Sequence, residues 1–148
     1  MSRVRVAVLI SGRGSNLQSL IDAAKAPDYP AEIALVVSNK EDAAGLQVAR
    51  DAGVPTKIIS HKVFGSREEF DAAIDADLRA AAIQLVCEAG FMRIHSEWFA
   101  RTWEGRLLNI HPSLLPAFKG IRVHQQALDA GVKISGCTVH FIVPELDS

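Results

Sequence analysis

No apolar run in this chain approaches the roughly 20 residues that a membrane-crossing helix needs, so the sequence offers no helical membrane span. An excess of charge is also missing. Sixteen basic and seventeen acidic residues give a net charge of −1, which provides no general attraction for nucleic acid or an anionic membrane. Cysteine is scarce: Cys87 and Cys137 both sit in apolar surroundings, without metal-type spacing, and are expected to be buried free thiols of a reducing cytosol. The opening residues Met1-Ser2-Arg3 run straight into an apolar stretch with no signal-peptide pattern, and a cytoplasmic location is expected. No metal site is visible. The Gly-x-Ser-x-Gly elbow of serine hydrolases is absent, as are internal repeats and low-complexity linkers.

What remains is the composition of an ordinary globular protein, 49% hydrophobic and 22% charged, in a length that supports one domain over residues 1–148. Val4 to Ile10 is a continuous apolar run rich in β-branched residues, the pattern of a strand buried on both faces. Ser11-Gly12-Arg13-Gly14-Ser15-Asn16 breaks it. A helix follows with Leu17, Leu20, Ile21 and Ala24 on one face, and the Ser15/Gln18 spacing predicts a capping box at its start. Ile33 to Val37 is a second strand. A helix from about Asp42 to Gly53 and a strand from Lys57 to Ile59 come next.

Ser66 and Glu69 form another capping-box signature, ahead of Phe70, Ile74, Leu78 and Ala81 at helical spacing. Further strands are expected at Ile83 to Ala89 and Arg106 to Ile110, with a short helix over Ser96 to Thr102 between them. A helix over His124 to Ala130 and an alternating strand over Ile134 to Val143 complete the pattern. Alternating strands and helices predict an α/β fold, a doubly wound, mostly parallel sheet with helices on both faces. Ligands of such sheets bind beyond the carboxyl ends of the strands.

Two strand-end segments carry chemistry. Gly12-Arg13-Gly14-Ser15-Asn16 joins a strand to a helix N-terminus, where free N–H groups and the helix dipole favour an anion. The dinucleotide fingerprint is incomplete. Its third glycine is replaced by Leu17, and the second strand ends in Ser38-Asn39 rather than in an acid that would hold a ribose. A simple phosphate ester therefore fits better than NAD; a ligand-free tight turn is the alternative. In the extended run Leu108-Asn109-Ile110-His111-Pro112, Asn109 and His111 face the same side, and Pro112 keeps His111 extended. An amide donor can hold the oxyanion of a tetrahedral intermediate, work worth ~3 kcal/mol, and an imidazole can move the proton. Asp147 follows the last strand. As a carboxylate near His111 it would orient the ring, and as a solvated loop acid it would do nothing.

Side by side, these segments make the chain resemble the phosphoribosylglycinamide formyltransferase family, the folate-dependent enzymes of purine synthesis. The likeness is carried by Val8-Leu9-Ile10-Ser11-Gly12-x-Gly14-Ser15-Asn16-Leu17, Val37-Ser38-Asn39-Lys40 and Ala89-Gly90-Phe91-Met92-Arg93-Ile94. It continues through Leu108-Asn109-Ile110-His111-Pro112-Ser113-Leu114-Leu115-Pro116 and Gly136-Cys137-Thr138-Val139-His140-Phe141. The resemblance implies that Gly14, Ser15 and Asn16 receive the substrate phosphate, and that Asn109, His111 and Asp147 form the catalytic trio. It implies a folate site made by Arg67, Met92, Arg93, Ile94, His95, Asn109 and the closing loop Val143, Pro144, Glu145, Leu146 and Asp147. His124 and His140 match family positions as supporting residues. The implied reaction transfers a formyl group from 10-formyltetrahydrofolate to 5-phosphoribosylglycinamide, without a metal and with no nucleic acid or membrane partner. Hydrolysis of the same donor and a catalytically inactive ligand-binding domain are the rivals. Formylation of an aminoacyl-tRNA is a weaker one, because neither a basic surface nor an additional domain is evident.

Three departures from the family pattern stand out. The family continues past Ser148, so a shortened form is expected, with exposed apolar surface through which it could self-associate. Glu88 sits in an apolar strand where the family has an aliphatic residue, and must be neutral, paired or turned to the pocket. His95 replaces an aliphatic residue in the folate wall, and is expected to make folate affinity pH-sensitive near neutrality.

Overall fold

The computed structural model describes residues 3–111 and 138–142, with the backbone alone for residues 110, 111 and 138–141. Six strands, β1 (Val4–Ile10), β2 (Ala31–Ser38), β3 (Thr56–Ile58), β4 (Leu85–Ala89), β5 (Leu107–His111) and β6 (Thr138–Phe141), form one sheet in the order β3-β2-β1-β4-β5-β6. β1 pairs in parallel with both β2 and β4, and the β2–β3 and β4–β5 pairs are also parallel. β6 runs antiparallel to β5, so the sheet is mostly parallel, as its sequence pattern requires.

The apolar run of β1 explains the layering. Val6, Val8 and Ile10 enter one core with Leu17, Leu20 and Ile21 of helix α1 (Ser15–Ala24) and Leu46 and Ala49 of helix α2 (Ala44–Asp51). Ala7 and Leu9 enter the opposite core with Phe70, Ile74 and Leu78 of helix α3 (Arg67–Ala80) and Phe99 and Trp103 around helix α4 (Glu97–Thr102). Period-two alternation thus feeds two cores from one strand, and helices cover both faces. Each fully buried Leu, Ile or Phe contributes about 1.5–3 kcal/mol by leaving water.

The chain winds outward from β1 to β3 on one side, then crosses back to β4 on the other. The change of direction falls between β1 and β4, and it opens the crevice where doubly wound sheets bind ligands.

Local capping follows the sequence in one helix and departs from it in another. Ser66 Oγ accepts from Glu69 N at 3.1 Å, as its spacing predicts, and Ser96 Oγ caps α4 by accepting from Phe99 N at 3.2 Å. The capping box at Ser15 and Gln18 does not form. Gly14, in the left-handed region at φ 82°, is the N-cap, which places Ser15 inside the first turn. The segment Pro112–Pro116, the helix expected over His124 to Ala130, residues Ile134 to Cys137 and the loop Val143 to Asp147 lie outside the described residues.

Candidate functional site

The carboxyl ends of β1, β2, β4 and β5 share one edge of the sheet, and every candidate segment within the described residues lies there. Gly12 to Gly14 leaves β1 and enters α1. Gly14 needs its missing side chain for packing as well as for its positive φ: a Cβ on it would stand 2.6 Å from Gly45 Cα. Gly45 N donates to Gly12 O at 2.9 Å, so two glycine backbones in direct contact lock the turn onto the start of α2. Gly45 escaped the sequence reading. A glycine inside an otherwise helical pattern was the available signal, since such a residue usually has a packing reason. Gly14 supplies no side-chain cap and the first turn of α1 holds no acid, so nothing anionic in that turn competes for the helix N-terminus.

Ser11, 5% exposed, ties three of these segments together. Its Oγ donates to Asn39 Oδ1 at 2.5 Å beyond β2 and accepts from Met92 N at 2.8 Å beyond β4. Asn39 Nδ2 in turn lies 3.4 Å from His61 Nδ1. Burial, then Arg93, Lys62 and Lys40, lower the pKa of His61.

Past His61, a cavity of about 280 Å3 is lined by His61, Phe64, Ser66, Arg67, Arg93 and Ile94, among others. Arg67, Arg93 and Ile94 are thereby brought to one cavity, and Met92 and Ile94 are exposed at 73% and 60%. Asn109 is half-buried in β5, in register with Glu88 of β4 and His140 of β6. His111 ends β5 opposite Thr138, and only its backbone is described. Val143, Pro144, Glu145, Leu146 and Asp147 fall outside the described residues.

His95 does not wall the pocket with its side chain. The ring is 3% exposed and points into the protein, where Nδ1 lies 2.8 Å from Asp71 Oδ1 and Nε2 is hydrogen-bonded to Glu88 Oε2. Phe91 and Phe99 flank it, with ring centroids at 5.3 and 4.2 Å. Burial on its own would lower the imidazole pKa. The charge of Glu88 and the hydrogen bonds to Asp71 and Glu88 outweigh burial and raise it to about 9. The ring faces two carboxylates instead of a ligand, an arrangement that gives no support to the expectation of a folate affinity that is pH-sensitive near neutrality. Glu88 resolves in the same way: of the three possibilities for it, the structure shows pairing. Asp71 was not singled out from sequence. The signal for it was an i, i+4 pair of acids, Asp71 and Asp75, placed among the apolar residues of α3, where both are buried.

Among the described residues, no group of three or more His, Cys, Asp or Glu is placed to hold a metal ion, and no helix is long and apolar enough to cross a membrane. Cys87 is a free, buried thiol whose pKa burial, aided by Glu88, raises to about 12; Cys137 lies outside the described residues.

A glycine turn at the N-terminus of α1 after β1, and the amide of Asn109 in β5 across the switch point with β4 between them, agree with the sequence family that the chain matches. The profile described as formyl transferase covers residues 4–148, and the chain belongs to that family. Within it, the phosphoribosylglycinamide formyltransferases of Haemophilus influenzae and Escherichia coli are each 46% identical over 97% of the chain, which spans 68% of their length. The human trifunctional purine biosynthetic protein adenosine-3 is 55% identical over 99% of the chain, which covers 14% of that much longer protein. Among solved structures, the phosphoribosylglycinamide formyltransferase from Brucella melitensis superposes with a TM-score of 0.80 at 50% identity, over 96% of this chain and 74% of that one. These relatives put the chain in the phosphoribosylglycinamide branch of the family.

Proposed function

We propose that the chain transfers a formyl group from 10-formyltetrahydrofolate to the amine of 5-phosphoribosylglycinamide in purine biosynthesis, acting in the cytoplasm. The observation that carries this reading is the meeting of a glycine turn at a helix N-terminus and the Asn109–His111 strand end on one sheet edge, either side of the switch point. In this reading the backbone of Gly14, Ser15 and Asn16 holds the substrate phosphate. Arg67 and Arg93 meet the anionic end of the folate at their shared cavity, and exposed Met92 and Ile94 offer apolar surface to its ring.

The amine attacks the formyl carbon, and the carbonyl oxygen takes up the negative charge. The amide of Asn109 and the imidazole of His111 hold that oxyanion. Collapse breaks the bond to N10 of the folate. The proton lost by the amine is delivered to N10, with Asp147 supporting its movement through His111. No enzyme nucleophile is required. A direct test follows the absorbance change as 10-formyltetrahydrofolate is consumed, with and without glycinamide ribonucleotide. Consumption that needs the amine supports the transferase. Equal consumption without it means hydrolysis, and none in a folded chain means an inactive domain.

A further inference from the structure

Met92, Arg93 and Ile94 are exposed, yet the segment that carries them is anchored at both ends. On one side Met92 N donates to buried Ser11 Oγ at 2.8 Å. On the other, His95 is hydrogen-bonded to Glu88 of β4 and Asp71 of α3, and Ser96 N donates to Asp71 Oδ2 at 2.5 Å. His95, Glu88 and Asp71 are all buried side chains, at 3%, 6% and 0% exposure, and the imidazole ring is stacked between Phe91 and Phe99. Such a cluster is a tie between three elements: strand β4, helix α3 and the loop leaving β4. A charged hydrogen bond in a site shut off from water resists breaking far more than a contact between methyl groups.

We propose that Glu88 and His95 are a matched pair of positioning residues, which with Asp71 fix the Met92–Arg93–Ile94 segment in the shape that receives the folate. The proposal rests on the reading of that segment as folate-binding, and it adds residues that touch no ligand themselves. The contribution falls on affinity rather than on the chemical step, because preorganising a binding segment lowers the ordering required when ligand arrives. The two members are unequal. Removing Glu88 leaves His95 its bond to Asp71, whereas removing His95 leaves Glu88 a buried carboxylate without its imidazolium.

The test is a double-mutant cycle on the 148-residue chain with His95→Leu, Glu88→Leu and both together. For His95→Leu the expected result is a Kd for 10-formyltetrahydrofolate weakened roughly tenfold with kcat nearly unchanged, a smaller loss for Glu88→Leu, and recovery towards wild type in the double variant. Amide hydrogen exchange at Met92 to Ser96, measured without ligand, should accelerate in the single variants and slow again in the double. Wild-type affinity and exchange in folded His95→Leu, losses that simply add in the double, or a fall in kcat at constant affinity would each overturn the proposal. If wild type binds no folate at all, the functional reading has failed, and the exchange pattern alone decides the tie. Should His95→Leu not fold, Glu88→Gln, which keeps shape and removes charge, carries the same measurements.

Discussion

Raising the pH from 6.5 to 9 should strip this protein of a defined part of its stability, because His95 holds its proton far more tightly in the folded chain than in the unfolded one. The folded pKa is raised to about 9, against 6.5 for the free side chain. Below pH 6.5 both states carry the proton and the stabilisation is fully present. Between 6.5 and 9 the unfolded chain gives up its proton while the folded chain keeps it, and the stabilisation is lost progressively. The difference corresponds to about 3 kcal/mol. For urea slopes of roughly 1–3 kcal/mol/M, that moves the unfolding midpoint down by roughly 1–3 M.

Two other groups set the controls. His61, with a lowered pKa, contributes in the opposite sense as pH rises. Cys87, raised from 9.0 to about 12, begins to withdraw stability only above pH 9. The assay is therefore urea unfolding of wild type and of the Glu88→Leu/His95→Leu variant at half-unit steps from pH 6 to 9, followed by the fluorescence of buried Trp103. The wild-type midpoint should fall relative to that of the variant across that window. A midpoint difference that stays constant from pH 6.5 to 9 would refute the argument, since it would mean that the imidazole gains no proton affinity from its carboxylates.

The glycine contact predicts an order among three alanine substitutions, read as melting temperatures. Gly14→Ala should be the worst, because it combines φ 82° with a Cβ 2.6 Å from backbone. Gly45→Ala gains up to about 1 kcal/mol in helix propensity but must push aside buried Ile10 Cδ1, also at 2.6 Å, at a cost of about 1–3 kcal/mol. Gly12→Ala meets nothing within 4 Å and should be near neutral. Tyr29 Oη is buried without a partner among the described residues, so Tyr29→Phe should raise stability by up to about 1 kcal/mol in the same melts; a clear loss would reveal an interaction for the hydroxyl. Asn109→Ala and His111→Ala should each lower kcat about 100-fold or more while the far-ultraviolet circular dichroism is unchanged, and a fully active His111→Ala would reject the proposed chemistry.

Much of this fold is legible residue by residue. Val4–Ile10 is a strand because its apolar run faces two cores, and Phe70, Ile74 and Leu78 line up on α3 because helical spacing puts them there. Strand order is different in kind. That β1 lies between β2 and β4 follows from how the crossovers pack, which no local pattern encodes. The failed capping box at Ser15 shows the same limit on a smaller scale, since the left-handed Gly14 moved the helix start by one residue. In the candidate site, strand ends could be located from sequence, because turn residues and buried runs mark them. Side-chain direction in the loop after β4 could not. Met92, Ile94 and His95 are near neighbours in the chain, yet two face solvent and the third turns inward to Glu88, seven residues earlier, and Asp71, 24 residues earlier.

That inward turn constrains how such a site can arise over generations. An aliphatic pair at positions 88 and 95, as the family pattern suggests, cannot be exchanged for Glu and His with equal ease in either order. A carboxylate arriving first at 88 would be sealed in without a cation. A histidine arriving first at 95 would find Asp71 already in place and bonded to Ser96 N. The passable route puts His95 before Glu88, and once both are present Glu88 holds His95 against reversion, while His95, still bonded to Asp71, leaves Glu88 free to revert.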